Sequence, residues 1–517
     1  MQLSDQAAPG VESSPPPDHQ SIRHQVPANV EAGASMLSVS ERLYNLDLAP
    51  AKIEGRRWTA YSIFTLWAND VHSLGNYGFA LGLFALGLGG WQILLALGIG
   101  AAFLFVLLTF SGFMGHKTGV PFPVMSRISF GVRGAQIPAL IRGGVAVVWF
   151  GIQTYLASLV LRVLLIALFP GLQNIDNNSI LGLSTLGWLT FAALWVVQTY
   201  IVQHGMDMIR KYEAFAGPVI LITMLSLAIW TVTKAGGSIA WSTDHQLQGG
   251  AMWREIFAGG ALWVSVYATF VLNFCDFTRG SKSRKSIIKG NFWGIPINTL
   301  FFGVIVVAMA GGQFKIDGTV IGSPADIVKA VPNTFLLVIA SLALLLLTVA
   351  VNLMANFVAP IYALTNLFPK KLNFARAGLI SAVIGFVILP WNLYNNPNVI
   401  VYFLGGLGAL LGPLFGVIII DYWLLRHSKI DVPALYTEDP TGCYYYKNGI
   451  NPRAIAAFIP AAALSLLIAF LPALNSVSSF SWFFGAGIAA LVYYVIGDRS
   501  AAFEDVSGEP IAVESVH

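Results

Sequence analysis

Runs of roughly 20 apolar residues, the length that crosses a ~30 Å hydrocarbon layer as a helix rising 1.5 Å per residue, recur along this chain from residue 60 to residue 497. A backbone inside lipid must satisfy its own polar groups, and only helices or closed barrels do so. The two-residue alternation of a barrel strand is absent, so the runs read as helices. Twelve are predicted, near 60–88, 91–113, 136–168, 184–204, 208–233, 255–278, 289–312, 333–366, 373–392, 398–426, 452–474 and 477–497. The fold class expected is therefore an all-α integral membrane protein. Composition agrees, with 56% hydrophobic residues, 10% charged residues and a mean hydropathy of +0.70, where a soluble domain carries about 25% charged residues.

The loops orient the spans. With both termini in the cytoplasm, all but five of the 29 Lys and Arg fall on the inner side. Lys234, Arg254, Lys315 and Lys329 fall outside, and Arg162 lies near the outer end of a span, from which its head is expected to snorkel to the interface. That asymmetry fits a multi-pass protein of the plasma (inner) membrane. Residues 1–55, with "ESSPPPDHQ", are expected to form a disordered cytoplasmic tail, since they lack the basic and apolar regions of a cleavable signal peptide. Residues 56–498 are the expected transmembrane domain and 499–517 a cytoplasmic C-terminal tail.

Several function classes drop out. Cys275 in a span and Cys443 in a loop imply no disulfide framework. The net charge of +4 comes from inner loops such as "TRGSKSRKSIIKG", which suits lipid headgroups rather than nucleic acid. No Walker A pattern, HExxH motif or Cys/His cluster occurs, so neither an ATP-driven pump nor a metal enzyme is expected, and no cofactor. No repeated filter loop suggests a channel. Secondary transport remains.

Polar residues inside the spans support it. The first span, "LWANDVHSLGNYGFALGLFALG", places Asn69, Asp70, His72, Ser73, Gly75 and Asn76 near mid-membrane. A helix broken around His72 to Gly75 and facing a cavity tolerates such a cluster. The sixth span, "WVSVYATFVLNFCDFTRG", carries Tyr267, Asn273 and Asp276. Spans one and six are the matching first members of two five-helix halves, as inverted repeats around a midplane site require. In the eighth span Asn352 and Asn356 share a helix face at a spacing of four, and in the third Trp149 and Gln153 do the same. Trp149, Gln153, Tyr267 and Asn356 together suit a flat, neutral, amide-rich ring, which stacks on an indole and exchanges hydrogen bonds with amides. Asn352 reads equally well as a brace between helices.

At these residues the chain resembles the nucleobase-cation-symport family one, the hydantoin, uracil, allantoin and cytosine permeases. The likeness rests on "GVPFPVMSRISFGVRGAQIPALIRG", "WFGIQTY", "LNFCDFTR", "NLMANFVAPIYALTNLFP", "LGPLFGVIIIDYWLLR" and "DPTGCYYYKNGINPRA" in that order. It implies the LeuT-like fold, five plus five inverted repeats and two extra helices. It also implies that Trp149 stacks on the substrate ring, that Gln153 hydrogen-bonds the ring amide and that Asn356 completes the bonding. The sequence departs from the hydantoin branch at three places. Tyr267 replaces a second tryptophan with Val266 before it in place of glycine, and Ser73 replaces a glutamine, which together favour a small ring. Ala350 and Val351 replace a Ser-Thr pair that ligates Na⁺ in sodium-dependent members. Hard cations need oxygen ligands, so proton coupling is expected before Na⁺. His72, Asp70 and Asp276 are the candidate proton carriers. The expectation is a proton symporter importing uracil first, allantoin or hydantoin next; a Na⁺-coupled member or a non-transporting receptor with the same pocket are the alternatives.

Overall fold

The computed structural model describes residues 39–329, 331, 333–395, 397–499 and 503–508. Fourteen helices are named here: α1 Ala60–Val71, α2 Leu74–Ala85, α3 Gly90–Thr118, α4 Gln136–Leu168, α5 Thr185–Gln203, α6 Gly205–Lys234, α7 Gly249–Val266, α8 Ala268–Asn273, α9 Arg284–Asp317, α10 Thr334–Leu367, α11 Phe374–Val387, α12 Pro397–Ile420, α13 Pro452–Phe470 and α14 Ser481–Ile496. Among the described residues, nine helices are long and apolar enough to cross a bilayer, and α2 and α11 are shorter apolar helices. The twelve expected spans are all present once α1–α2 and α7–α8 are read as two broken spans.

Packing pairs reveal the repeat that sequence identity does not. The first span packs on the fifth (α1 on α6), as the sixth packs on the tenth (α8 on α12). The first meets the seventh (α1 on α9), as the sixth meets the second (α7 on α3). The third meets the fourth as the eighth meets the ninth, and third and eighth pack on each other across the pseudo-symmetry axis (α4 on α10). Spans eleven and twelve, α13 and α14, lie outside this scheme and pack on α12. That is the five-plus-five architecture with two appended helices.

Local sequence explains where the helices bend. The Thr59 and Ser62 side chains form a capping box that starts α1. The span stops at His72 and restarts at Ser73, whose backbone is extended (φ −61°, ψ 149°) and whose hydroxyl accepts from Asn76 N as the cap of α2. In α10 the turn Leu353–Phe357 is a π-turn. Pro360 lacks the N–H that would return to the Asn356 carbonyl, which loosens this turn. The freed Ala355 carbonyl accepts from Arg142 Nη2 of α4 at 2.9 Å.

Of the stretch expected as an N-terminal tail, residues 1–38 lie outside the described residues, while 39–55 pack on the helical body. Leu43 and Leu48 are 5% and 0% exposed. Arg127 Nη2 donates to Leu43 O at 2.9 Å and Arg279 Nη2 to Ala49 O at 2.7 Å. Two leucines in a polar stretch are enough to anchor it. At the other end Val506 N donates to Ile430 O at 3.0 Å, and 509–517 lie outside the described residues. Arg162 does not stand alone at its span end: its Nε lies 3.4 Å from Asp176 Oδ2 in the following loop.

Candidate functional site

The two broken spans meet. Asn76 Nδ2 donates to the Asp70 carbonyl at 2.8 Å, satisfying an acceptor that the break leaves open. The same amide donates to Tyr267 Oη at 3.0 Å. Tyr267 is the hinge residue between α7 and α8 (φ −89°, ψ 4°). Its ring is 1% exposed and packs against Trp263, with centroids 5.3 Å apart, and Trp67. The hydroxyl that Tyr267 adds is therefore committed to the joint between the two breaks. Gly75, just past the first break, is exposed, and a Cβ added there would meet nothing within 4 Å.

The other wall is built by α4 and the π-turn of α10. Asn352 is fully buried, and its Nδ2 reaches Phe150 O at 3.1 Å, Thr154 Oγ1 at 3.0 Å and Gln198 Oε1 at 2.7 Å. This amide fastens α10 to α4 and α5, the brace reading of that residue. It also fixes the register of α10 on α4, with Asn356 one turn along from the bonded residue. Asn356 Nδ2 donates to Asn352 Oδ1 at 2.9 Å, and its own Oδ1 accepts from none of the described residues. Gln153, 8% exposed, makes no hydrogen bond to any described residue. Trp149 is half-buried on the same face.

A sequence model of the family described as "Permease for cytosine/purines, uracil, thiamine, allantoin" matches residues 50–493. The allantoin permease of Bacillus subtilis is 35% identical over 460 residues, covering 88% of this chain and 94% of its own. The chain belongs to the nucleobase-cation-symport family one. The purine-uracil permease of Arabidopsis thaliana is 33% identical over 475 residues, covering 88% of this chain and 78% of its own. Among solved structures, a nucleobase-cation-symport-1 transporter in a closed conformation with bromovinylhydantoin bound superposes with a TM-score of 0.73 at 23% identity. It covers 87% of this chain and 94% of its own, and shows the same LeuT-like fold. Like its relatives this family member is a multi-pass membrane permease, not an enzyme.

Within this permease the three acid-base candidates sit in different surroundings. His72 is 0% exposed, between Tyr77 Oη (2.8 Å from Nδ1) and Asn298 Oδ1 (3.2 Å from Nε2). Because Asn298 Nδ2 donates to Trp67 O, its Oδ1 faces the ring, so Nε2 carries the hydrogen and Nδ1 accepts from Tyr77. A neutral imidazole is thus fully used by the scaffold. Asp276 accepts from Phe122 N at 2.6 Å, at the start of a short helix, and from Asn273 Nδ2 at 2.7 Å. Arg279 instead donates to backbone carbonyls of the N-terminal segment and lies over the Tyr362 ring. Asp276 therefore serves a helix end. Ser73 caps α2. Asp70 alone of the three lies in the joint of the two breaks. Sequence reasoning passed over Arg142 and Glu213, both 1% exposed inside spans; an ionisable residue within an apolar run was the available signal.

The two asparagines of α10 are expected to separate on mutation. Asn352→Leu removes a brace and strands the Gln198 oxygen, at a cost of about 1–3 kcal/mol, measurable as a lower melting temperature in detergent. Asn356→Leu keeps the three bonds of Asn352 Nδ2 and takes away only the donor to Asn352 Oδ1, so it is expected to weaken ligand affinity with a smaller fall in melting temperature than Asn352→Leu.

Proposed function

We propose that this permease imports a small, neutral, amide-bearing ring, allantoin or uracil first and a simple hydantoin next, by proton symport. The observation that carries the reading is the pair of open amide groups beside Trp149. Gln153 and Asn356 Oδ1 keep hydrogen-bonding capacity free, while Asn76, Gln198 and Asn352 around them are engaged. Buried amides left open in a membrane are costly unless a ligand pairs with them. Gln153 offers both a donor and an acceptor, matching the N–H and C=O of a ring amide, and the indole face suits a flat ring. The substrate is expected to stack on Trp149, bond Gln153 and Asn356, and rest against the Ser73–Gly75 break, with Tyr267 closing the wall behind Asp70. Allantoin stands beside uracil because the B. subtilis relative is an allantoin permease.

Proton coupling is favoured by Ala350 and Val351, buried hydrocarbon side chains on α10 that offer a hard cation no side-chain oxygen. His72 and Asp276 are tied into scaffold contacts, which leaves Asp70 as the carrier among the sequence candidates. Transport would follow from rocking spans one, two, six and seven against the rest, which changes the contact of the two breaks with the α4–α10 wall. Both termini are placed in the cytoplasm by the Lys and Arg distribution.

The test is initial-rate uptake of labelled allantoin and uracil into proteoliposomes, with unlabelled allantoin, uracil, cytosine, adenine, thiamine and hydantoins as competitors. Competition by small cyclic amides, with aryl hydantoins weakest, is expected. Saturable binding without uptake would make the protein a receptor and overturn the transport reading.

A further inference from the structure

Glu213 lies in α6, the fifth span, 1% exposed. Its Oε2 accepts from Asn69 Nδ2 of α1 at 2.5 Å, and the same amide reaches the Glu213 carbonyl at 3.0 Å and Thr65 O at 2.8 Å. Among the described residues the second carboxyl oxygen, Oε1, has no partner, and neither has Asn69 Oδ1. Two acceptors of one side-chain pair are left without a donor. A carboxylic acid and a carboxamide form a complementary pair with two hydrogen bonds; a carboxylate and a carboxamide can form only one. The Asn69–Glu213 pair is short by one hydrogen, and a proton on the carboxyl supplies it.

We infer that Glu213, paired with Asn69 on the first span and acting together with Asp70, is the proton-binding site through which this permease is coupled. This rests on the proton-symport reading above. No Lys or Arg is among the partners of Glu213. The nearest titratable groups along the two helices are Asp70, next to Asn69 on α1, and Tyr212, next to Glu213 on α6, whose hydroxyl donates to Leu346 O of α10 at 3.2 Å. Of the other helices against α6, α5 and α10 contain no Asp, Glu, Lys or Arg, those of α9 stand at its two ends, and the short helix Pro324–Lys329 carries Asp326 and Lys329; on α6 itself Arg210 and Lys211 are ion-paired to Asp207. Asp70 and Glu213 are thus two buried acids, one beside Asn69 in the chain and one bonded to it, with no Lys or Arg ion-paired to either among the described residues. A carboxylate buried without a counter-ion is costly, and a proton removes that cost.

The position suits coupling. Asn69 lies three residues before the His72 break, and the carbonyl of Asp70 next to it shares the Asn76 amide with the Tyr267 hinge. At Gly217 the α1 and α6 backbones approach so closely that an added Cβ would lie 3.2 Å from Thr65 Cβ. Pro218 has no N–H to return to the Ala214 carbonyl, which accepts instead from Tyr61 Oη of α1 at 3.0 Å. The α1–α6 contact is therefore made of exchangeable side-chain bonds. Losing the proton removes the hydrogen from the Asn69–Glu213 pair and sets two negative charges on the joint that the substrate also touches, so protonation and substrate bias the same movement of the first span.

The test uses the full chain in proteoliposomes, with Glu213→Gln as the neutral mimic whose amide completes both bonds to Asn69. The variant is expected to fold with a melting temperature at or above wild type. It is expected to exchange labelled for unlabelled allantoin or uracil, with a pH profile flattened from that of wild type, and to lose proton-driven accumulation tenfold or more. Wild-type accumulation in a variant with an unchanged pH profile and protonophore sensitivity would overturn the inference. So would a variant that fails to fold or to exchange, since the amide should satisfy the site. Wild-type vesicles run in parallel separate the two claims: accumulation driven by Na⁺ and indifferent to protonophore defeats the proton-symport reading itself, whatever Glu213→Gln does.

Discussion

Uptake of allantoin or uracil is expected to fall to background in Trp149→Ala with Gln153→Ala, and each single change is expected to weaken binding by 5-fold to 150-fold. Removing the Gln153 amide leaves the ring N–H and C=O unpaired in a site closed to water, and an unmade buried hydrogen bond costs about 1–3 kcal/mol. Removing the indole forfeits the ring's stacking surface, about 0.5–1.5 kcal/mol beyond the apolar area lost. At 1.4 kcal/mol per decade, 1–3 kcal/mol gives about 5-fold to 150-fold for one residue and about 25-fold or more for the two together. The melting temperature of Gln153→Ala should change little, because Gln153 makes no hydrogen bond to any described residue and Asn352, not Gln153, fastens α4 to α10. Tryptophan-fluorescence titration and uptake, measured on the same preparations, read both effects.

The second large effect concerns the driving ion. A protonophore is expected to lower steady-state accumulation by tenfold or more, and replacing Na⁺ by choline to change it by less than twofold. Each pH unit of gradient supplies about 1.36 kcal/mol, a factor of ten, for one proton per substrate. A potential of 100 mV adds about 2.3 kcal/mol per charge moved. Against this, Ala350 and Val351 give Na⁺ no side-chain oxygen where the sodium-dependent pattern carries two hydroxyls. A strong Na⁺ requirement would mean that backbone carbonyls suffice.

Much of this architecture is legible in the sequence because lipid imposes a length and an apolarity on every span. The twelve segments and the break at His72–Ser73 follow from that constraint and from one polar cluster. The repeat is not legible at residue level, since it is kept by which helices pack together and not by which side chains do the packing. Site residues divide in the same way. A spacing of four put Trp149 with Gln153 and Asn352 with Asn356, but spacing cannot say which amide faces inward: Asn352 braces three elements while Asn356 keeps an open oxygen. Tyr267 was expected as an aromatic wall of the ring site, and its hydroxyl accepts from Asn76 at the joint of the two breaks. His72, attractive for its ordinary titration range, is held as a neutral ring between Tyr77 and Asn298. Glu213 was overlooked because "KYEAFAGP" reads as the charged start of a span, and only packing reveals that Asn69 comes from α1 to meet it.

The central claim is that a small amide ring lies on the Trp149–Gln153–Asn356 face. The most direct measurement is a structure of the permease determined with saturating allantoin or uracil. The account predicts ring density parallel to the Trp149 indole, with Gln153 and Asn356 Oδ1 within about 2.7–3.2 Å of ring N–H or C=O groups and Asn352 still bonded to Thr154 and Gln198. Ring density elsewhere, with Gln153 and Asn356 untouched, would contradict it.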